Sequence, residues 1–114
     1  MNKKKYGGRI ICALGLCITL AFFSSCNYLS SKGNSAFEST NLGDSREAVI
    51  ARFDMPFVAK ASGVPFPRYA AKGCESPCVE RLWFQNRMSF DTEAWSIDFG
   101  KQGYVIDKYH WNSP

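Results

Sequence analysis

The sequence predicts an α+β domain of two short helices packed on a three-stranded antiparallel sheet, and three observations carry that prediction. A capping pattern at Asp44-Ser45-Arg46-Glu47 introduces an amphipathic segment, and the last third of the chain alternates apolar and polar residues with a period of two. The turn Gly100-Lys101-Gln102-Gly103 separates its last two alternating runs. One apolar sheet face needs a cover, and the helices are the elements left to supply it.

The first segment stands apart from that domain. Lys3, Lys4, Lys5 and Arg9 precede an apolar run over residues 10–23, which Ser24-Ser25-Cys26 closes. The run has the length of a signal-peptide core and falls short of the roughly 20 residues a spanning helix needs. Two small residues before a cysteine, with polar Asn27 after it, resemble a lipoprotein signal. That resemblance implies removal of residues 1–25, a diacylglycerol on the Cys26 thiol and an acyl chain on its new amino group. Phe23 stands where such signals usually carry an aliphatic residue, and an ordinary secretory cleavage would leave Cys26 as a free thiol. Each buried methylene contributes about 0.8 kcal/mol and stable anchoring takes more than one chain, so a lipidated Cys26 would hold the protein on a membrane without spanning it. Asn27 in place of an aspartate resembles lipoproteins sorted to the outer membrane, and the expected location is its periplasmic face.

Residues 26–114 suffice for one small domain, which buries only about 60–65% of its unfolded surface. The formal charge of +4 resides wholly in the leader, and the ten remaining Lys and Arg balance ten Asp and Glu. A basic nucleic-acid-binding surface therefore has no support. Cys12 and Cys17 also belong to the leader, leaving Cys74 and Cys78 in the folded part. In an oxidising compartment these two can pair, although the short loop contributes only about 2 kcal/mol and Pro77 stiffens it. A Cys-x3-Cys zinc half-site is the alternative. It lacks a second cysteine pair and has only His110 to draw on, so the disulfide is favoured.

Residues 26–35 are rich in Ser, Asn, Gly and Lys and read as a flexible lipidated tether, followed by the domain proper over 36–114. A short helix over 36–41 would carry Phe37 and Leu42 towards the core. With Asp44 as N-cap and Glu47 reaching back, a second helix should start at Ser45, turning Val49 and Phe53 inward and Arg46, Glu47 and Arg52 to water. Met55-Pro56 ends it. Gly63, Pro65, Pro67, Gly73 and Pro77 then mark residues 57–80 as a long loop insertion. Three strands follow. Leu82, Phe84, Met88 and Phe90 share one parity, Trp95, Ile97 and Phe99 a second run, and Val105, Tyr109 and Trp111 a third.

Several of these residues together look like the SmpA/OmlA family of outer-membrane lipoproteins, which includes the BamE subunit of the β-barrel assembly machinery. They are Phe37, Leu42-Gly43-Asp44-Ser45, Val49, Phe53-Asp54-Met55-Pro56, Trp83-Phe84, and the closing run from Ile97-Asp98-Phe99 through Gly100 and Gly103 to Tyr104-Val105. The resemblance covers most of the mature chain and implies the same two-layer fold and a supporting role in outer-membrane protein assembly or envelope integrity. Asp54 replaces a glycine usual in the family after the helix, and the connection over 57–81 is longer than expected for BamE.

The residues offer no catalytic set. His110 reads as an exposed strand residue, Asp91, Glu93 and Asp98 as a solvated turn and strand face, and Gly100 and Gly103 as turn glycines with no helix after them to bind phosphate. A non-enzymatic protein follows, without metal or cofactor beyond the acyl chains on Cys26. The aromatic load exceeds what so small a core requires, and Trp83, Tyr104, Phe66 and Tyr69 are the candidate contacts for another envelope protein. An alternative function is a lipoprotein that inhibits or binds a periplasmic enzyme through the 57–80 loop. A redox or metal-binding protein built on Cys74 and Cys78 is a further one.

Overall fold

The computed structural model describes residues 3–66, 73–87 and 93–112, with the side chains of 3–13, 22, 23, 25 and 26 excepted. Along the chain lie α1 (Lys3–Ser39), α2 (Arg46–Phe53), β1 (Phe57–Ala61), β2 (Glu80–Asn86), β3 (Glu93–Phe99) and β4 (Val105–Asn112). The strands form one antiparallel sheet in the order β1-β2-β3-β4. The α+β class and the three-strand meander are as expected, whereas the fourth strand and the length of α1 are not.

β1 arises inside the segment read as a loop. Phe57-Val58-Ala59-Lys60-Ala61 pairs with Phe84 back to Glu80, and its residues are only exposed or half-buried. An edge strand of this kind carries little of the apolar alternation that marks a strand in a sequence. The remaining insertion is tied at its base, where the amides of Ser62 and Gly63 donate to the carbonyls of Val79 and Cys74 at 2.9 and 2.8 Å.

The short helix over 36–41 is instead the last part of α1, and the tether over 26–35 is helical as well. Its second half is packed. Ser30 Oγ donates to Glu93 Oε2 at 3.2 Å, Lys32 Nζ to the Asp54 carbonyl at 2.7 Å, and Asn34 Oδ1 accepts from Trp95 Nε1 at 3.1 Å. Gly33 lies flat on the Trp95 indole, where a Cβ would come within 2.1 Å of the ring. Small residues that suggest flexibility in a sequence here permit close approach of a helix to a tryptophan. Leu42, expected in the core, is 70% exposed.

α2 begins one residue later than expected. Ser45 is its N-cap, with extended backbone and a hydroxyl that accepts from the Ala48 amide at 3.2 Å. Asp44 does other work: its carboxylate accepts from the Asn41 amide at 2.8 Å and from Arg52 at 2.9 Å, and these bonds hold its pKa below the ordinary carboxylate value. Arg46 and Arg52, expected to point to water, fold back into ion pairs with Glu80 and Asp44. Asp54 closes the helix in the left-handed region at φ 47°, as its place in the sequence suggests, and donates its amide to the Ile50 carbonyl.

The two helices cover one sheet face. Val49 and Phe53 meet Leu82, Phe84, Trp95, Ile97, Phe99 and Val105, with Phe53 stacked on Phe84 at 4.0 Å between centroids. α1 crosses the sheet from end to end. Its Ser30 lies beside Glu93 where β2 and β3 end in pairing, and the segment after it pairs at the opposite end, where the Gly43 amide donates to Val105 and the Val105 amide to Asp44, both at 2.9 Å.

β4 departs from the parity read in the sequence. Asp98 pairs with Asp107 and Phe99 with Val105, so Ile106 is an extra residue. This bulge turns the strand over. Val105 faces the helices, Lys108 and His110 continue that face against Phe37 and Trp95, and Tyr109 and Trp111 move to the opposite one. The Gly100–Gly103 hairpin forms as expected, with Gly103 at φ 81°. Among the described residues, no helix is long and apolar enough to cross a membrane.

Candidate functional site

The sheet face turned away from the helices carries a second, smaller cluster. Trp83 of β2 sits at its centre on Ala94, with Val58, Phe66 and Trp111 packed around it. Phe66 meets Trp83 edge-on at 5.2 Å and Trp111 lies at 5.5 Å, its indole nitrogen donating to Ser96 Oγ at 2.8 Å. Alternation along β2 and β3 directs Trp83, Ala94 and Ser96 here, and the bulge at Ile106 brings Trp111 to join them.

Beside the cluster, Arg81 and Asp98 face each other across β2 and β3 in a buried ion pair, with two nitrogens of the guanidinium donating to the two carboxylate oxygens at 2.6 and 3.1 Å. The guanidinium also lies 5.6 Å from the Trp83 ring and 5.9 Å from that of Tyr109. Hydrogen bonding to Asp98 raises the Arg81 pKa further, so this group stays charged. Tyr109 donates its hydroxyl to Asp107 at 2.6 Å, which raises the phenol's pKa.

Cys74 and Cys78 adjoin this pair as two buried thiols. Burial pushes the Cys78 thiol well up, and its hydrogen bond with Cys74 adds to the shift, so Cys78 is a poor nucleophile in the folded protein. Pro77, Cys78 and Ile106 are shared by two adjoining grooves of about 560 Å³ each. One runs towards Val79, Lys101 and Tyr104 at the hairpin end of the sheet. The other runs over Arg81, Asp98, Tyr109 and Trp111.

The four contact residues read from the sequence do not form one patch. Trp83 is only 1% exposed and belongs to the cluster's interior, because the loop and Trp111 cover it. Phe66 joins it, Tyr69 lies outside the described residues, and Tyr104 is 50% exposed at the mouth of the hairpin-end groove. Tyr109, Trp111, Val79 and Ile106 are the surface residues the sequence reading missed. The bulge conceals the first two, since unbroken alternation puts them on the helix side. The backbone of Cys26 is helical within α1, and Cys74 and Cys78, read as a candidate disulfide, lie hydrogen-bonded to each other as free thiols.

Glu93 and Asp98 project from opposite faces of β3, and Asp91 lies outside the described residues. His110 stacks on Trp95 at 5.5 Å and contacts Glu93 at 3.2 Å. Among the described residues, no group of three or more His, Cys, Asp or Glu is placed to hold a metal ion. Compared with protein-family models, with curated proteins and with solved structures, the chain matches none.

Proposed function

We propose that this chain is a lipid-anchored binding or scaffold protein on the periplasmic face of the outer membrane, where it contacts another envelope protein and supports outer-membrane protein assembly or envelope integrity. The observation that carries the reading is the asymmetry of the sheet. One face is sealed by helices, while the other presents grooves edged by the exposed Tyr104, Ile106, Val79 and Tyr109, one of them floored by the Arg81–Asp98 ion pair. Aromatic residues with polar tips over a preordered floor suit protein docking, because little side-chain freedom is lost on contact. The motif resemblance to the SmpA/OmlA family and the lipoprotein-like signal at Cys26 supply the location and the class of partner.

The mechanism is tethering with interface burial. An anchor on Cys26 confines the domain to the membrane surface and raises its effective concentration near any partner held there. Crosslinking in intact cells followed by affinity recovery tests the reading, comparing the parent with Tyr104→Ala and Ile106→Asp. Recovery of barrel-assembly subunits that drops with either substitution is the expected result. Recovery of a periplasmic hydrolase in their place would support the inhibitor reading instead, and recovery unchanged by both substitutions would refute the proposed surface.

A further inference from the structure

We infer that the anchored domain stands on the membrane in one orientation, with the end of the sheet near Ser30, Glu93 and Asn112 against the lipid headgroups and the hairpin-end groove facing away. The inference rests on acylation of Cys26 and deepens that reading by naming the surface that meets the lipid.

The argument is one of lengths. Among the described residues, Ser30 is the first of α1 with a hydrogen bond to the sheet, through Glu93, and four residues of advance separate it from Cys26. As helix, that link spans about 6 Å. Fully drawn out it spans about 14 Å. To present the opposite end to the membrane, the link would have to pass the length of the sheet. β4 alone, with seven steps between its ends, runs about 24 Å from Val105 to Asn112. The link is therefore too short by about 10 Å to let the domain turn over, even when unwound. Lys32 on Asp54 and Asn34 on Trp95 fasten the next turn of the helix, so no further slack is released without undoing the core.

The consequence is a fixed presentation. Phospholipid headgroups meet the ends of β2, β3 and β4 near Asn86, Glu93 and Asn112, while Tyr104, Lys101 and the groove between Val79 and Ile106 point into the aqueous space. The length of the link, about 14 Å at most, is what excludes the inverted domain.

The test uses the acylated mature chain in phospholipid nanodiscs doped with a gadolinium-chelating lipid, read by relaxation of assigned backbone amides. The amides of Glu93 and Asn112 are expected to relax more than about tenfold faster than those of Lys101 and Gly103, given the length of β4. Inserting ten Gly and Ser residues between Asn27 and Tyr28 gives a coil of about 17 Å root-mean-square span that can extend further, and the contrast should then fall several-fold. Equal relaxation at the two ends in the parent chain, or a contrast unchanged by the insertion, would overturn the inference while leaving the anchor intact. A chain that fails to partition to the discs at all would overturn both.

Discussion

Gly33→Ala decides whether the segment after Cys26 is a docked helix or a loose line. In an exposed helix this change stabilises by about 1 kcal/mol, because alanine is the better helix former. In a flexible tether it should do almost nothing. In the structure the new Cβ would lie 2.1 Å from the Trp95 ring, against an ordinary carbon contact of about 3.5 Å or more. Helix and indole must separate by about 1.4 Å or more, yet Trp95 is fully buried, stacked on His110 and tilted against Phe53. Overpacking of this kind costs about 1–3 kcal/mol. The same displacement stretches the Asn34–Trp95 hydrogen bond, worth about another 1 kcal/mol. Set against the gain in helix propensity, the net destabilisation is about 2 kcal/mol, or a fall in Tm of roughly 10 °C for a domain of this size. Thermal and urea unfolding of residues 26–114, followed by circular dichroism and tryptophan fluorescence, measures it, with the exposed Ser35→Ala on the same helix as a control. A Gly33→Ala variant as stable as the parent, or more so, would refute the docking of α1.

Arg81→Met should destabilise by about 3–5 kcal/mol in urea melts by stranding the Asp98 carboxylate, whereas Arg81→Met with Asp98→Leu should recover most of that loss. The folded-state pKa of Asp44 is depressed, so its contribution is whole above the ordinary value of 3.8 and is lost as pH falls through the lower folded value. Asp44→Asn should therefore lower stability at neutral pH and flatten the decline below about pH 4, as read from melting temperatures across a pH series. Protein recovered from an oxidising compartment should carry a Cys74–Cys78 disulfide, seen as a mass two hydrogens lower that dithiothreitol restores. After reduction Cys78 should alkylate slowly until the fold is opened, and a dithiol carrying zinc in the native mass spectrum would contradict the pairing.

Much of the architecture is visible in local patterns. Val49 and Phe53 sit four apart and both reach the core, and Trp95, Ile97 and Phe99 alternate onto one face as their spacing requires. Gly100 and Gly103 make the hairpin they suggest. What escapes is whatever depends on a distant partner. β1 has no strong pattern because it is an edge, and it becomes a strand only beside β2. The helical state of Lys32, Gly33 and Asn34 depends on Asp54 and Trp95, far along the chain. Ile106 bulges because Val105 must pair with both Asp44 and Phe99, and the displaced parity of Tyr109 and Trp111 follows from that closure. The candidate site was legible as a surplus of aromatics and two nearby cysteines. It was not legible which of those aromatics remain exposed.

The span of the contacts made by α1 also bears on the order in which the protein is built. Ser30 to Glu93 and Asn34 to Trp95 bridge 63 and 61 residues, so neither can form before β3 is available to the folding chain. Contacts of such separation close late, since the intervening chain must first give up its freedom. Until then the segment around Cys26 has no sheet to rest on. Were Cys26 cut and acylated as proposed, the enzymes doing so would meet an undocked substrate, and arrival of the last strands would then seal that end onto the finished fold.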